Sequence, residues 1–213
     1  MAQPYGELAS FYFSQKTKFK ITPMVLMVSY DFDGVEMEWA FLEFLDGYKP
    51  LDEEYFKGCQ SFSDAELTRF QTMAIFDFVI GNMDRFADNL FVKVNRSMYD
   101  FENLKCIDNA NSHPHSGPNQ FNGHHMYYWK HYEISKAEFT DHALAKIDAL
   151  SEPLLESYFT EVEQMIPSFL NKKIKDYFRL RVAFLNQLIK TKKIKTPAEM
   201  AEFRSRTEIS DAM

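Results

Sequence analysis

The sequence predicts an α+β fold, with a short antiparallel sheet near the N-terminus and a mainly helical region after it. Three observations predict it. Two apolar runs, Met24 to Tyr30 and Val35 to Leu45, flank the turn Asp31-Phe32-Asp33-Gly34, a hairpin signal. From about residue 62 the apolar residues fall at helical spacing. Two shorter strand-like runs, Leu90 to Val94 and Leu104 to Ile107, interrupt those helices.

Taken in order, Tyr5 to Lys18 reads as a helix with Leu8, Phe11 and Tyr12 on one side. Pro23 ends the approach to the first strand, and Gly47 and Pro50 break the sheet after the second. Ser63 and Glu66 are spaced as a capping box directly before an apolar run. Leu67, Phe70, Met73, Ala74, Ile75 and Phe78 suit a helix buried on most of its circumference, running to about Ile80 and stopping at Gly81. Asn95 to Asn103 is rich in turn formers and reads as a loop. Residues 111–125, NSHPHSGPNQFNGHH, read as an irregular polar loop. After Tyr132 the pattern is helical to the end, through Leu154 to Phe169, Lys172 to Ile189 and a second capping box at Thr196-Pro197-x-Glu199.

Composition removes several classes of function. The 24 basic and 31 acidic residues leave a net charge of −7, opposite in sign to a non-specific nucleic-acid binder. Aromatic residues make up 16% of the 213, which argues against disorder. The seven glycines are too dispersed to form G-x-G-x-x-G or G-x-x-x-x-G-K-[ST]. Cys59 and Cys106 are too few for a disulfide framework or a four-cysteine zinc site, and read as reduced thiols of a cytoplasmic protein. The longest apolar stretch, around Met73 to Ile80, is interrupted by Asp77 and is well short of the ~18 residues of a spanning helix. The N-terminal residues lack a basic start followed by an apolar run, so a secretory signal is not expected.

The chemistry concentrates between residues 77 and 109, DFVIGNMDRFADNLFVKV followed by KCIDNAN. Asp84 follows a helix and a turn, Asn89 lies five positions on as a strand begins, and Asp108 ends the next strand. This order suits metal-assisted phosphoryl transfer, in which one carboxylate accepts a proton from the attacking hydroxyl while an amide oxygen and a second carboxylate hold Mg²⁺ against the phosphates. The Asp-x4-Asn spacing is that of a kinase catalytic loop. An antiparallel pair of strands places the start of one beside the end of the other, which would bring Asn89 to Asp108. Taken singly, each motif has a plainer reading: Asp108-Asn109 is a turn dipeptide and Asp84-Arg85 a surface ion pair.

IGNMDRFADNLFV followed by CIDN resembles the catalytic and metal-binding loops of the atypical kinases, a group that includes the type II phosphatidylinositol 4-kinases, HipA-like Ser/Thr kinases and four-jointed-type kinases. EFLDGYKP at 43–50 is similar to the hinge strand of the type II lipid kinases. YGELASFYF with ITP at 21–23 is similar to their helix C and the strand after it, and MYYWKHYEISKAEF at 126–139 to the segment beyond the metal loop. The resemblance implies a protein-kinase-like fold, with a reduced N-lobe over residues 1–46 and a helical C-lobe over 47–213. It implies Asp84 as catalytic base, Arg85 as the residue orienting the loop, and Asn89 and Asp108 as ligands of Mg²⁺ or Mn²⁺. Glu7 would be the helix C acid that pairs with the ATP-binding lysine. The backbone from Glu43 through Phe44 to Leu45 would meet adenine, with Phe41, Phe44 or Ile107 as apolar walls.

The implied activity is ATP-dependent transfer of phosphate to a hydroxyl of a protein Ser/Thr or an inositol lipid. Two features depart from the pattern. Phe86 stands where a His or Gly commonly follows the Arg, and the six residues before Glu7 hold no counterpart of the lysine strand and phosphate loop. The alternative is therefore a partial kinase-like protein, acting as a binding module or completed by a partner chain. Lys16, Lys18 and Lys20 read as a solvated helix end and loop. His113, His115, His124 and His125 are ligand types for Zn²⁺ or Ni²⁺, but they lack a helical i, i+4 pair and a nearby cysteine; a polar loop at the position of a kinase's substrate loop is the preferred reading.

Overall fold

The structure, a computed structural model, describes residues 3–51, 61–82, 84–95, 98–109, 112 and 127–203. It is a mixed α/β fold with two small antiparallel sheets, one of two strands and one of three. Cys59 and the four histidines of the 111–125 loop lie outside the described residues.

Helix α1 spans Gln3–Lys16. Its buried residues are Gly6, Glu7, Ala9, Ser10, Phe13 and Ser14, whereas Leu8, Phe11 and Tyr12 are only half-buried. The expected apolar side is thus not the innermost one; small and polar side chains line the buried stripe and let the helix approach its neighbours closely. Phe13 shows how deep it sits. Its ring centroid lies 5.1 Å from Tyr158, 5.6 Å from Phe178 and 6.0 Å from Phe76, so α1 meets three other helices through one side chain. The hydrophobic core is continuous across the expected boundary near residue 46.

Strands β1 (Val25–Phe32) and β2 (Val35–Leu42) form a hairpin ribbon paired from Val25–Leu42 to Phe32–Val35. Asp33 and Gly34, at φ 53° and 79°, make a two-residue turn whose left-handed conformations match the ribbon's twist, and the Gly34 N–H donates to Asp31 Oδ1 at 2.7 Å. A short β3 (Tyr48–Pro50) then pairs with β4 (Leu90–Asn95), which pairs with β5 (Met98–Cys106). Two expectations are corrected here. Gly47 and Pro50 do not end strand structure but flank and close β3, an edge strand where proline is tolerated. The described residues of the Asn95 to Asn103 stretch are strand rather than loop. Its turn formers act inside β5: between the pairs Phe91–Lys105 and Lys93–Asp100, β4 has Val92 alone while β5 has Phe101 to Leu104, a wide bulge tied by Asn103 Nδ2 to Asp100 Oδ2 at 2.7 Å.

Helix α2 spans Asp64–Ile80 and is buried from Phe70 to Ile80. Both halves of its capping box form: Ser63 Oγ accepts from the Glu66 N–H, and Glu66 Oε2 accepts from the Ser63 N–H. Gly81, at φ 75°, ends it. Two 3-10 turns, Tyr128–His131 and Glu133–Lys136, lead to α3 (Asp141–Asp148), α4 (Glu152–Met165), α5 (Lys172–Phe184) with a π turn over Leu185–Ile189, and α6 (Pro197–Met200). Thr196 caps α6 as expected, but the Glu199 carboxylate accepts from the Lys195 N–H rather than completing the box. No helix among the described residues is long and apolar enough to cross a membrane.

Candidate functional site

The site is built where α2, the β4–β5 hairpin and α1 meet. Past Gly81 the chain turns through Asn82, whose side chain is fully buried. Asn82 Oδ1 accepts from the Asp84 N–H at 3.2 Å, and Asn82 Nδ2 donates to the Asp108 carbonyl at 3.3 Å. One amide therefore fixes both ends of the candidate loop. Asn89 closes a 3-10 turn over Ala87–Asn89, and its carbonyl accepts from the Ile107 N–H at 3.0 Å, carrying the β4–β5 ladder one step past Leu90–Cys106.

That step brings the expected metal ligands together. Asn89 Nδ2 lies 3.3 Å from Asp108 Oδ2 and 3.5 Å from the Asp84 carbonyl. Asp84 and Asn89 are half-buried and Asp108 is exposed. Asp108 sits at φ 55°, a left-handed conformation that an Asp tolerates better than most residues. The reversal sends neighbouring side chains to opposite partners: Asp108 to Asn89, and Asn109 into the protein.

Beneath this exposed edge lies a buried network that the sequence shows only in fragments. Arg85 is fully buried and is no surface ion pair. It donates to Asp77 Oδ1 at 3.0 Å through Nη2 and to Oδ2 at 3.2 Å through Nε, and to the carbonyl of Ile107. Nη2 also donates to Asn109 Oδ1 at 2.5 Å. Trp129 Nε1 donates to Asp77 Oδ2 at 3.2 Å. Asn109 in turn gives both its main-chain N–H and its Nδ2 to the two Glu7 carboxylate oxygens, at 2.5 and 2.9 Å. The chain of contacts Trp129–Asp77–Arg85–Asn109–Glu7 thus joins the segment after the hairpin, α2, the candidate loop and α1.

The electrostatics follow from burial. Burial alone would lower the Arg85 pKa, but the Asp77 carboxylate beside it outweighs that and holds the guanidinium charged, above its ordinary range. Burial raises the carboxyls of Glu7 and Asp77, opposed for Glu7 by Asn109's hydrogen bonds and for Asp77 by Arg85 and Trp129. Burial likewise pushes the Cys106 thiol, directly under the hairpin end, up to about 12.

The structure therefore gathers Asp84, Arg85, Asn89, Ile107, Asp108 and, through Asn109, Glu7. Glu7 does not meet a lysine among the described residues; Asn109 occupies its carboxylate. Lys16 pairs with Glu161, while Lys18 and Lys20 are exposed at φ 57° and 54°. Glu43, Phe44 and Leu45 are not hydrogen-bonded to Asp84, Asn89 or Asp108. Glu43 instead closes the base of the ribbon, its N–H donating to the Met24 carbonyl at 2.8 Å and its carboxylate accepting from the Met24 N–H. Phe44 is exposed and Ile107 half-buried. Phe86, the departure from the kinase pattern, stacks on Tyr128 with centroids 3.9 Å apart.

Sequence reasoning passed over Asp77, Asn82, Asn109 and Trp129. One signal was available: an Asp inside an otherwise apolar, buried helix requires a charged or hydrogen-bonding partner. Among the described residues no group of three or more His, Cys, Asp and Glu side chains gathers at metal-ligand range; the Asn89–Asp108 pair is one amide and one carboxylate. No protein-family model matches the chain, and no curated protein is significantly similar to it.

Proposed function

We propose that this chain is an ATP-dependent phosphotransferase acting on a hydroxyl of a protein Ser/Thr or an inositol lipid. In this reading the fold is protein-kinase-like, with a reduced N-lobe over residues 1–46 and a helical C-lobe over 47–213. The observation that carries the reading is the approach of Asn89 to Asp108, 3.3 Å apart at the joined ends of β4 and β5, with the Asp84 main chain beside them. The donors suit Mg²⁺ or Mn²⁺, which take hard oxygen ligands. A half-turn of the Asn89 amide presents Oδ1 where Nδ2 now faces Asp108. When bound, the ion would neutralise charge on the nucleotide phosphates.

The remaining roles belong to the chain's own residues. Asp84 accepts the proton of the acceptor hydroxyl. Arg85, fixed on Asp77 and on the Ile107 carbonyl, holds the loop that carries Asp84. The Glu43–Leu45 main chain takes the adenine edge, with Phe44 and Ile107 as apolar walls. Cytoplasmic location is part of the same proposal, in keeping with the free, buried thiol of Cys106.

A second reading has its own observation. The Glu7 carboxylate is taken up by Asn109 rather than by a lysine, so no clamp for the phosphates is assembled around it among the described residues. That favours a partial kinase-like protein that binds nucleotide without turnover, or that a partner chain completes. Positioning supplies most of the rate in phosphoryl transfer, so weak Mg²⁺-ATP binding and slow transfer are expected of these 213 residues. Calorimetry with ATP and Mg²⁺, beside radiolabelled autophosphorylation, tests both readings. Binding and transfer that vanish in Asp108→Ala support the enzyme. Binding without transfer supports the second reading. Binding unaltered in Asp108→Ala removes the proposed site.

A further inference from the structure

The β1–β2 ribbon has two unlike faces. In its register Leu26 faces Phe41, Tyr30 faces Met37 and Phe32 faces Val35, with the Val28–Trp39 pair between them. Directly paired residues share a face, so every side chain on this face is uncharged and nearly all are large and apolar. The opposite face carries Ser29–Glu38 and Asp31–Glu36, and its base, at Val25, is buried. The apolar face is open to solvent over most of its length: Leu26, Tyr30, Phe32, Val35, Trp39 and Phe41 are each 51–62% exposed, whereas the opposite face is covered only toward its base, at Val25, Met27 and Ala40, and its exposed residues toward the tip are polar.

The size of this face decides what it is for. Its four aromatic rings, at ~150–250 Å² each and more than half exposed, present on the order of 450 Å². With Leu26, Val35 and Met37 the face reaches roughly 700 Å², above the ~300–600 Å² of the largest patch on an ordinary monomer and close to the ~800 Å² each partner gives to a standard interface.

We infer that this face is a homodimer interface, in which the apolar face of the β1–β2 ribbon packs on that of a second copy. A two-fold axis through the middle of the face is self-complementary, each residue meeting in the copy the one that meets it. No position on the face is charged, so the half-turn brings no like charges together, and Glu36 and Glu38 point away on the other side. Two such ribbons pack face to face as sheets in a sandwich do. A lipid surface is the poorer occupant: Asp31, Asp33, Glu36 and Glu38 crowd the tip, and the chain carries a net charge of −7, which an anionic bilayer repels. The inference does not rest on phosphotransferase activity and holds with or without it.

Sedimentation velocity across the micromolar range tests it, with Trp39 as a second readout, since the other tryptophan, Trp129, is fully buried. The wild type is expected to move from 25.1 kDa to twice that mass as concentration rises, with a blue shift of the Trp39 emission. Trp39→Asp and Val35→Asp are each expected to weaken dimerisation roughly tenfold or more, the scale of losing a central contact, while keeping the far-ultraviolet circular dichroism of the wild type. Val35 adjoins the exposed turn, so it serves should Trp39→Asp unfold. A wild type that stays monomeric, or is polydisperse, overturns the inference. So does a dimer that survives both folded variants, or a monomer that instead binds neutral or anionic vesicles.

Discussion

The candidate loop has two sides that differ in everything but position. On one side Asp84, Asn89 and Asp108 are exposed or half-buried and linked by hydrogen bonds of 3.2–3.5 Å. On the other, Asp77, Arg85, Asn109 and Glu7 are buried and joined by several bonds each. The two sides alternate along the chain, Asp84 beside Arg85 and Asp108 beside Asn109. The difference teaches a division of labour. A buried ionic network is costly to assemble and costlier to break, so it suits the task of fixing backbone. An exposed carboxylate–amide pair adds little stability, in keeping with the proposed role of holding an ion rather than the fold.

Breaking the buried side should have the largest effect on stability. Arg85→Ala strands the Asp77 carboxylate in the core and should cost about 3–5 kcal/mol, read as a fall in the urea midpoint. A loss under about 1 kcal/mol would mean that the network does not hold the loop. The exposed side should respond the opposite way. Asp108→Asn, which removes the charge but keeps a residue type tolerated at φ 55°, should leave stability within about 0.5 kcal/mol of wild type, yet lower any phosphoryl transfer roughly a thousandfold. An equal loss of stability in this variant would erase the contrast between the two sides.

Asn82 sharpens the comparison because it serves both. Asn82→Ala leaves the Asp84 N–H and the Asp108 carbonyl without their partner, and should cost about 1–3 kcal/mol in the same titration. The smallest effect is one of pH. Burial raises the Glu7 carboxyl above its ordinary 4.5, so the folded state binds the proton more tightly than the unfolded one. The resulting stabilisation is fully present below pH 4.5 and is lost as pH rises through the folded value. Glu7→Gln cannot titrate, so the stability of the wild type relative to this variant should decline across that window. A flat difference from acid to neutral pH would show that Asn109 and Arg85 fully offset the burial.

How far the sequence carried this reading depends on how far apart the partners lie. Local chemistry sufficed wherever a hydrogen bond closes within a few residues. The Asp33-Gly34 turn, the Ser63/Glu66 cap, the Gly81 stop and the spacing from Asp84 to Asn89 are all of this kind, and the convergence of Asn89 on Asp108 needed only a hairpin between them. The same local signals misled where tertiary pairing overrode them. Asp100 and Asn103 are turn formers, but pairing with β4 absorbed them as a bulge. Gly47 and Pro50 read as a break, but pairing with β4 made Tyr48–Pro50 an edge strand.

The sequence by itself determined the mixed α/β class, the hairpin and the exposed edge of the candidate site. Only the tertiary structure decided what lies beneath that edge. Glu7 and Asn109 are 102 residues apart and Trp129 is 52 from Asp77, separations over which no periodicity operates. The physical reason is the cost of burying charge. An Asp in a buried helix and an Arg in a loop can be accommodated only where folding brings them into contact, and the sequence states the need without naming the partner.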